Sequence, residues 1–434
     1  MADRAAPGPG DERAIAVLLF KDNAGTCPDV LNTVRCWAAH GRRVDLLVFD
    51  TGLYPLPSFR EARARLVAVR TIYGRLLPLV RRLRGDDNAV GTASGAPPSG
   101  TAPVAARPGP LRRLFALGVG AIRALQTLEF FVAHTLRLLR GGYALAIACD
   151  LPSLLAARAA RALRGTPFVY HSRELALSWD QRSPGARIAK HAERLCHRAA
   201  MLTVVQDTRR AELLARDNRV PQLSFLLVPN SPIGTGEGAT SDFLGSRLGL
   251  PATTPIVLHA GSVLPETMVL EIIESIAGWP AEAALVVHGV AETGYRPVLD
   301  AAAARHPGRV YFSSSLVAAA DVDRLFASAA VGLALYRPID DNFRFVGCAA
   351  GKIFNLMKVG IPIVTNDLPG MRELIEESGC GRVVRNPAEL GAAIADLLAR
   401  RAPCRARCAE TFPRYEFSRN YRAVIDRAEA AIRR

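Results

Sequence analysis

Twice along the chain, short apolar runs of strand length alternate with longer stretches whose apolar residues recur at helical spacing. This rhythm is the strongest constraint on what the chain folds into. In the first half the runs fall at 14–20, 44–49, 143–149, 167–170, 201–205 and 223–229; in the second at 256–262, 284–290, 310–312, 331–336, 361–364 and 381–384. Strand, helix, strand at this spacing predicts an α/β fold with parallel sheets. The second-half runs are apolar almost throughout, which predicts strands covered on both faces, as in a doubly wound sheet. With 434 residues the chain is long enough for two such domains. The Gly- and Thr-bearing stretch at 233–241 has linker composition, so the expected organisation is a tail at 1–13, a domain at 14–232, a linker at 233–249, a domain at 250–409 and a C-terminal segment at 410–434. Residues 85–110, rich in Gly, Ala, Ser and Pro, read as a disordered excursion.

Open α/β sheets place ligands beyond the carboxyl ends of their strands. Six candidate residues stand there in the second half: Gly261 and Ser262, His288 and Gly289, Tyr336 and Arg337. A further group follows at 344–364, read as a glycine-bearing loop, a helix starting at Lys352, Gly360 as its stop, and a strand. Gly347 and Gly351 let the backbone turn tightly and approach a ligand, and a helix start with one lysine suits phosphate. A glycine-rich connection bearing one exposed lysine is the plainer account. The spelling is not a Walker A loop: three residues separate the glycines instead of four, and Ile353 stands where Ser or Thr would hold magnesium. The first strand's loop carries only Gly25, which is no dinucleotide fingerprint and removes most of the support for an oxidoreductase. In the first half, His171 and Glu174 follow a strand and are the titratable candidates for direct chemistry, with hydrogen-bonded scaffold as their alternative.

Charge is unevenly placed. Net charge is +15, yet only four of the 55 basic residues are lysines, and Lys352 and Lys358 share one helix. Arginine outnumbers acid by ten between residues 60 and 140 and by six from 400 onward. Such patches suit anionic lipid, nucleic acid or an anionic substrate, or reflect arginine-biased composition alone. No helix-turn-helix, zinc or aromatic stacking pattern points to nucleic acid. The segments 60–84 and 111–140, apolar at helical spacing and studded with arginine, read as amphipathic helices that lie on a membrane or pack on the sheet. No 18-residue uncharged apolar run or signal core occurs, so a cytoplasmic protein, peripheral at most, is expected. The eight cysteines form no C-x-x-C pair and read as reduced, and no Asp-x-Asp cluster or other metal set is evident; neither metal nor cofactor is expected.

The order of these features resembles the GT-B glycosyltransferases, and among them the retaining enzymes of family four, within the glycosyl transferases group 1. The resemblance rests on Tyr170-His-Ser-Arg-Glu-Leu175, Leu227-Val-Pro-Asn230, Ala260-Gly-Ser262, His288-Gly289, Gly332-Leu-Ala-Leu-Tyr336 and, most specifically, the run from Gly351 to Val364 followed by Leu368-Pro-Gly370. It implies two facing Rossmann-like domains, with a nucleoside diphosphate sugar on the second, a glycan or lipid-linked acceptor on the first, and a C-terminal helix crossing back to the first. Gly347, Gly351, Lys352, Ile353 and Asn355 would join the strand-end residues around the donor, and His171 and Glu174 would face the acceptor. The chain departs from the family where two glutamates eight apart are common: Gly347 and Asn355 stand there, and Arg173 replaces a frequent histidine. A non-catalytic GT-B scaffold that binds nucleotide or glycan in polysaccharide assembly is therefore the rival reading.

Overall fold

The computed structural model describes residues 13–433 except 22, 53–54, 71–109, 237–239, 293 and 316, and in 110–123 the backbone alone. Of the expected tail at 1–13 and excursion at 85–110, residues 1–12 and 85–109 lie outside the described residues. Two compact units divide the chain: one takes in the described residues up to Val228 together with Tyr421 onward, the other Pro229–Asn420.

The first unit is built on seven parallel strands, β1 (Ile15–Leu19), β2 (Val44–Asp50), β3 (Ala64–Arg70), β4 (Leu145–Ala148), β5 (Phe168–His171), β6 (Leu202–Val205) and β7 (Phe225–Leu227), in the order β3-β2-β1-β4-β5-β6-β7. β1 sits centrally, Ile15 opposite both Val44 and Leu145, and all five of its residues are fully buried. Its apolar run is continuous because helices cover both faces. Asp150, just past β4, caps the helix Leu151–Arg164 by accepting from Ser153 N, and Gly165 (φ 72°) ends it in the left-handed region.

Two segments depart from or refine the reading of the sequence. Residues 64–70, expected within an amphipathic helix, form the edge strand β3, paired with β2 from Ala64 opposite Val44 to Arg70 opposite Asp50. Arginine is tolerated there because an edge strand keeps one face in water, and Arg65 binds the buried Asp45 of β2 at 2.7 Å. The rest of the segment, 71–84, lies outside the described residues. The second segment is a single helix, Pro110–Gly141. Phe130, His134 and Leu138, four apart, are buried against the sheet, while Leu125, Leu128, Val132 and Leu136 are exposed. Among the described residues no helix is long and apolar enough to cross a membrane.

The second unit carries β8 (Ile256–Ala260), β9 (Ala284–His288), β10 (Val310–Ser313), β11 (Val331–Ala334), β12 (Ile363–Asn366) and β13 (Gly381–Val384), parallel and ordered β10-β9-β8-β11-β12-β13. One apolar cluster, with Phe354, Leu356 and Met357, covers one face; another, with Ile272, Leu299 and Leu397, covers the other. Strand order reverses between β8 and β11, and the crevice at such a switch point is where doubly wound sheets hold ligands.

Candidate functional site

The ends of β8 and β9 turn side by side after His259 and His288. Gly261 N donates to His288 O at 2.9 Å, and Gly289 N donates to Ser313 O at 2.8 Å. Both glycines have positive φ, and a Cβ on Gly289 would lie 1.9 Å from Gly261 O, so no side chain fits the second turn. His288 Nδ1 shares a hydrogen bond of 3.0 Å with Ser313 Oγ, and burial lowers its pKa. Exposed Ser262 offers its carbonyl to His259 Nε2 at 3.3 Å. The acceptor is a carbonyl, so Nε2 carries the proton and Nδ1 is left buried without a partner.

Across the switch point, Tyr336 follows β11. Asn366, at the end of β12, clasps its peptide in both directions: Tyr336 N donates to Asn366 Oδ1 at 2.9 Å, and Asn366 Nδ2 donates to Tyr336 O at 2.8 Å. Arg337 is engaged elsewhere, its guanidinium paired with Glu271 and its N–H donated to Glu266 O.

The helix Gly351–Lys358 closes the crevice. It starts from a turn at Gly347–Ala349, and no side chain caps its N-terminus. Asn230 fastens the turn, its N donating to Cys348 O at 2.9 Å and its Nδ2 to Ala349 O at 3.1 Å. Gly360 (φ 75°) stops the helix, with Ile361 N bonded to Leu356 O and Gly360 N to Met357 O, a Schellman turn. Ile353 is fully buried, so its side chain belongs to the core. Asn355 donates Nδ2 to Gly351 O at 2.8 Å, which leaves its oxygen as the group on offer. Gly347 is buried, but a Cβ there would meet nothing within 4 Å, so space stands open at this position.

Lys352 reaches from the first turn of this helix into the corner between the β8 and β11 ends. A Cβ on Gly261 would lie 3.7 Å from its Cε, and Nζ stands 5.3 Å from the centre of the Tyr336 ring. Nζ is closed off from solvent and has no hydrogen-bond partner, and burial brings its pKa down to about 7. His259 is pushed well below its ordinary value, first by burial and then by Lys352. Gly261, Ser262, Tyr336, Gly351 and Lys352 thus converge on one crevice, with His288 and Gly289 at its β9 side.

The first unit presents a different arrangement. His171 is buried at the end of β5 with Nδ1 unpartnered, and burial pushes its pKa down to about 4. Glu174 is exposed and paired with Lys21 at 3.3 Å; that ammonium holds its carboxyl below the usual range. Between them Arg173 binds Asp29 at 2.5 Å; burial works to raise the Asp29 pKa, and the guanidinium overrides it. The sequence singled out Asn230 only as the end of a matching stretch, without its bonds to the turn, and did not single out Asn366 at all. Each makes paired bonds to backbone far along the chain, which spacing does not reveal.

Residues 254–400 match the model of the family described as glycosyl transferases group 1. Among solved structures, sucrose-phosphate synthase from Thermosynechococcus elongatus superposes with a TM-score of 0.66 at 16% identity over 96% of this chain and 100% of that one. Anabaena HepE, solved with UDP and glucose, gives 0.65 at 16% identity over 96% and 99%. WaaG, a glycosyltransferase involved in lipopolysaccharide biosynthesis, gives 0.60 at 14% identity over 94% and 98%. At these identities the likeness is one of fold, the GT-B fold of two Rossmann-like units. No curated protein matches the chain significantly in sequence.

Proposed function

We propose, from the premise that the second unit is a glycosyl transferases group 1 domain and the chain a glycosyltransferase, that it moves a sugar from a nucleoside diphosphate sugar to a glycan or lipid-linked acceptor, with retention, in the synthesis of cell-surface polysaccharide or glycolipid. The observation that carries the donor assignment is the unpartnered Lys352 Nζ at the β8/β11 switch point, beside the uncapped start of its own helix. When the sugar C1–O bond breaks, the diphosphate leaves with the electron pair. Its growing negative charge meets Nζ and the helix N–H groups without prior reorganisation of the protein. Gly261 and Gly289 let backbone approach the phosphates, and Tyr336, held by Asn366, borders the sugar or base. His288 and Gly289 line the nucleotide side, and the Asn355 oxygen accepts from a ribose hydroxyl. His171, neutral near pH 7, and Glu174 serve the acceptor.

HepE in complex with UDP-glucose supports the choice of donor class, and WaaG the choice of pathway. The exposed Leu125, Leu128, Val132 and Leu136 stripe supports a peripheral seat on an anionic membrane, where lipid-linked acceptors reside. The open position at Gly347 and the engaged amide of Asn355 favour the rival, a scaffold that binds nucleotide without turnover. Turnover of UDP-, GDP- and ADP-sugars by the purified chain separates the two. An enzyme hydrolyses or transfers from one of them, and Lys352→Ala lowers kcat/KM by about 10²–10³ with the fold intact. Nucleotide binding with no turnover of any donor leaves the scaffold.

A further inference from the structure

Lys352 Nζ has no acceptor among the described residues of its own unit. The groups that face it come from several elements. From β8 it meets His259 and, at Gly261, bare backbone; from the end of β11 it meets the Tyr336 ring at 5.3 Å. Arg337, next to Tyr336, is spent on Glu271. In the short helix Asp341–Arg344, whose Phe343 ring lies 6.5 Å from that of Tyr336, Asp340 accepts from Phe343 N and Asp341 lies 4.0 Å from Arg344. In the turn before its own helix stands Cys348, and one turn later Asn355, which is bound to Gly351 O. Among the described residues none of these carboxylates reaches hydrogen-bond distance of Nζ.

An enclosed ammonium with no acceptor is penalised relative to the neutral amine, and two phosphates arriving beside it reverse that preference. We propose that Lys352 stands as the neutral amine before the donor binds and takes up a proton as the diphosphate enters, which makes donor capture a proton-coupled step. The inference rests on the donor-site reading above. Burial brings this lysine to about 7 in the free protein, so the coupled window opens there and extends upward. Below that window the amine is already charged and takes up none. Within it, one proton is bound per ligand, and linkage requires affinity to fall about tenfold for each unit of rising pH.

Calorimetric titration of the full chain with UDP, GDP and ADP, in two buffers of different ionisation enthalpy, counts the protons directly. At about pH 8 the terminal phosphate, whose second pKa is about 6, is already ionised, so uptake belongs to the protein. The expected count is about 0.9 proton per ligand near pH 8; near pH 6 uptake by the lysine falls to about 0.1 and is outweighed by the proton that the half-ionised terminal phosphate gives up, so net uptake vanishes. In Lys352→Arg the guanidinium is charged throughout, so binding is expected with no uptake. Should that variant not fold, Lys352→Met is expected to bind weakly with an affinity that no longer depends on pH. Binding without uptake near pH 8, or uptake that survives Lys352→Arg, overturns the inference while the donor site stands. Failure of all three nucleotides to bind overturns both.

Discussion

At the scale of single residues, the group best suited to binding is the one least suited to stability. Lys352 Nζ is enclosed and unpartnered, and burial brings its pKa from 10.5 to about 7. Between those values the unfolded chain holds the proton and the folded chain has released it, so stability rises with pH across this window; below it the full cost of the buried charge remains. Lys352→Met, similar in length and apolar, is therefore expected to stabilise the protein by about 1–3 kcal/mol near pH 6. That gain should shrink as pH climbs toward 10, while nucleotide binding collapses. Denaturant titrations at the two pH values check the sign, and a variant less stable than the parent near pH 6 would show that the ammonium has an acceptor after all. Lys352 was legible as a candidate because a glycine pair and a lone lysine at a helix start suit phosphate. The engagement of Arg337 with Glu271, 66 residues away, was not legible, since the pairing depends on how the helix Val269–Glu274 packs beside the end of β11.

At the scale of elements, the helix Gly351–Lys358 holds its register on the sheet through a missing side chain. A Cβ on Gly332 of β11 would lie 2.3 Å from Leu356 Cδ1, and Leu356 is itself nearly fully buried and cannot swing away. Gly332→Ala must lift the helix or distort the strand, at about 1–3 kcal/mol. Because the same helix presents Lys352, the variant should lose nucleotide affinity along with thermal stability; a loss of stability with affinity unchanged would detach the lysine's position from this packing. The helix Pro110–Gly141 makes the complementary point. Its buried stripe of Phe130, His134 and Leu138 explains its place on the sheet but not its exposed Leu125, Leu128, Val132 and Leu136. Placing glutamate at Leu128 and Val132 together should reduce sedimentation with phosphatidylglycerol vesicles and leave melting nearly unchanged; unchanged sedimentation would remove the membrane seat. Twelve of the thirteen strands were readable as apolar runs, because parallel strands buried on both faces show no polar alternation. β3 was not: an arginine-studded edge strand and an amphipathic helix share a short pattern, and only the pairing with β2 separates them.

At the scale of the whole molecule, the first unit is completed by the end of the chain. The helix Phe417–Ile432 lies in the second unit's run of sequence up to Asn420 and in the first unit from Tyr421. There it buries Tyr421, Val424, Ile425 and Ala428, and Trp37 Nε1 donates to Tyr421 OH at 3.3 Å. Arg42 holds Glu429 through two bonds, 2.7 Å from Nε and 2.6 Å from Nη2, with both side chains 8% exposed. The two partners are 387 residues apart, so no local pattern announces them. A buried pair like this contributes little net energy over an apolar pair of equal volume, but losing one partner strands the other charge in the core. Arg42→Ala is therefore expected to cost about 3–5 kcal/mol, while Arg42→Met with Glu429→Leu recovers most of that loss. Chemical denaturation followed by tryptophan fluorescence, to which Trp37, buried in the same unit, contributes, reads both variants. If the double variant is as unstable as the single, the pair fixes the helix by directional bonding that apolar packing cannot replace. If it recovers, burial of the helix face holds the terminus in place, and the pair serves to select its register.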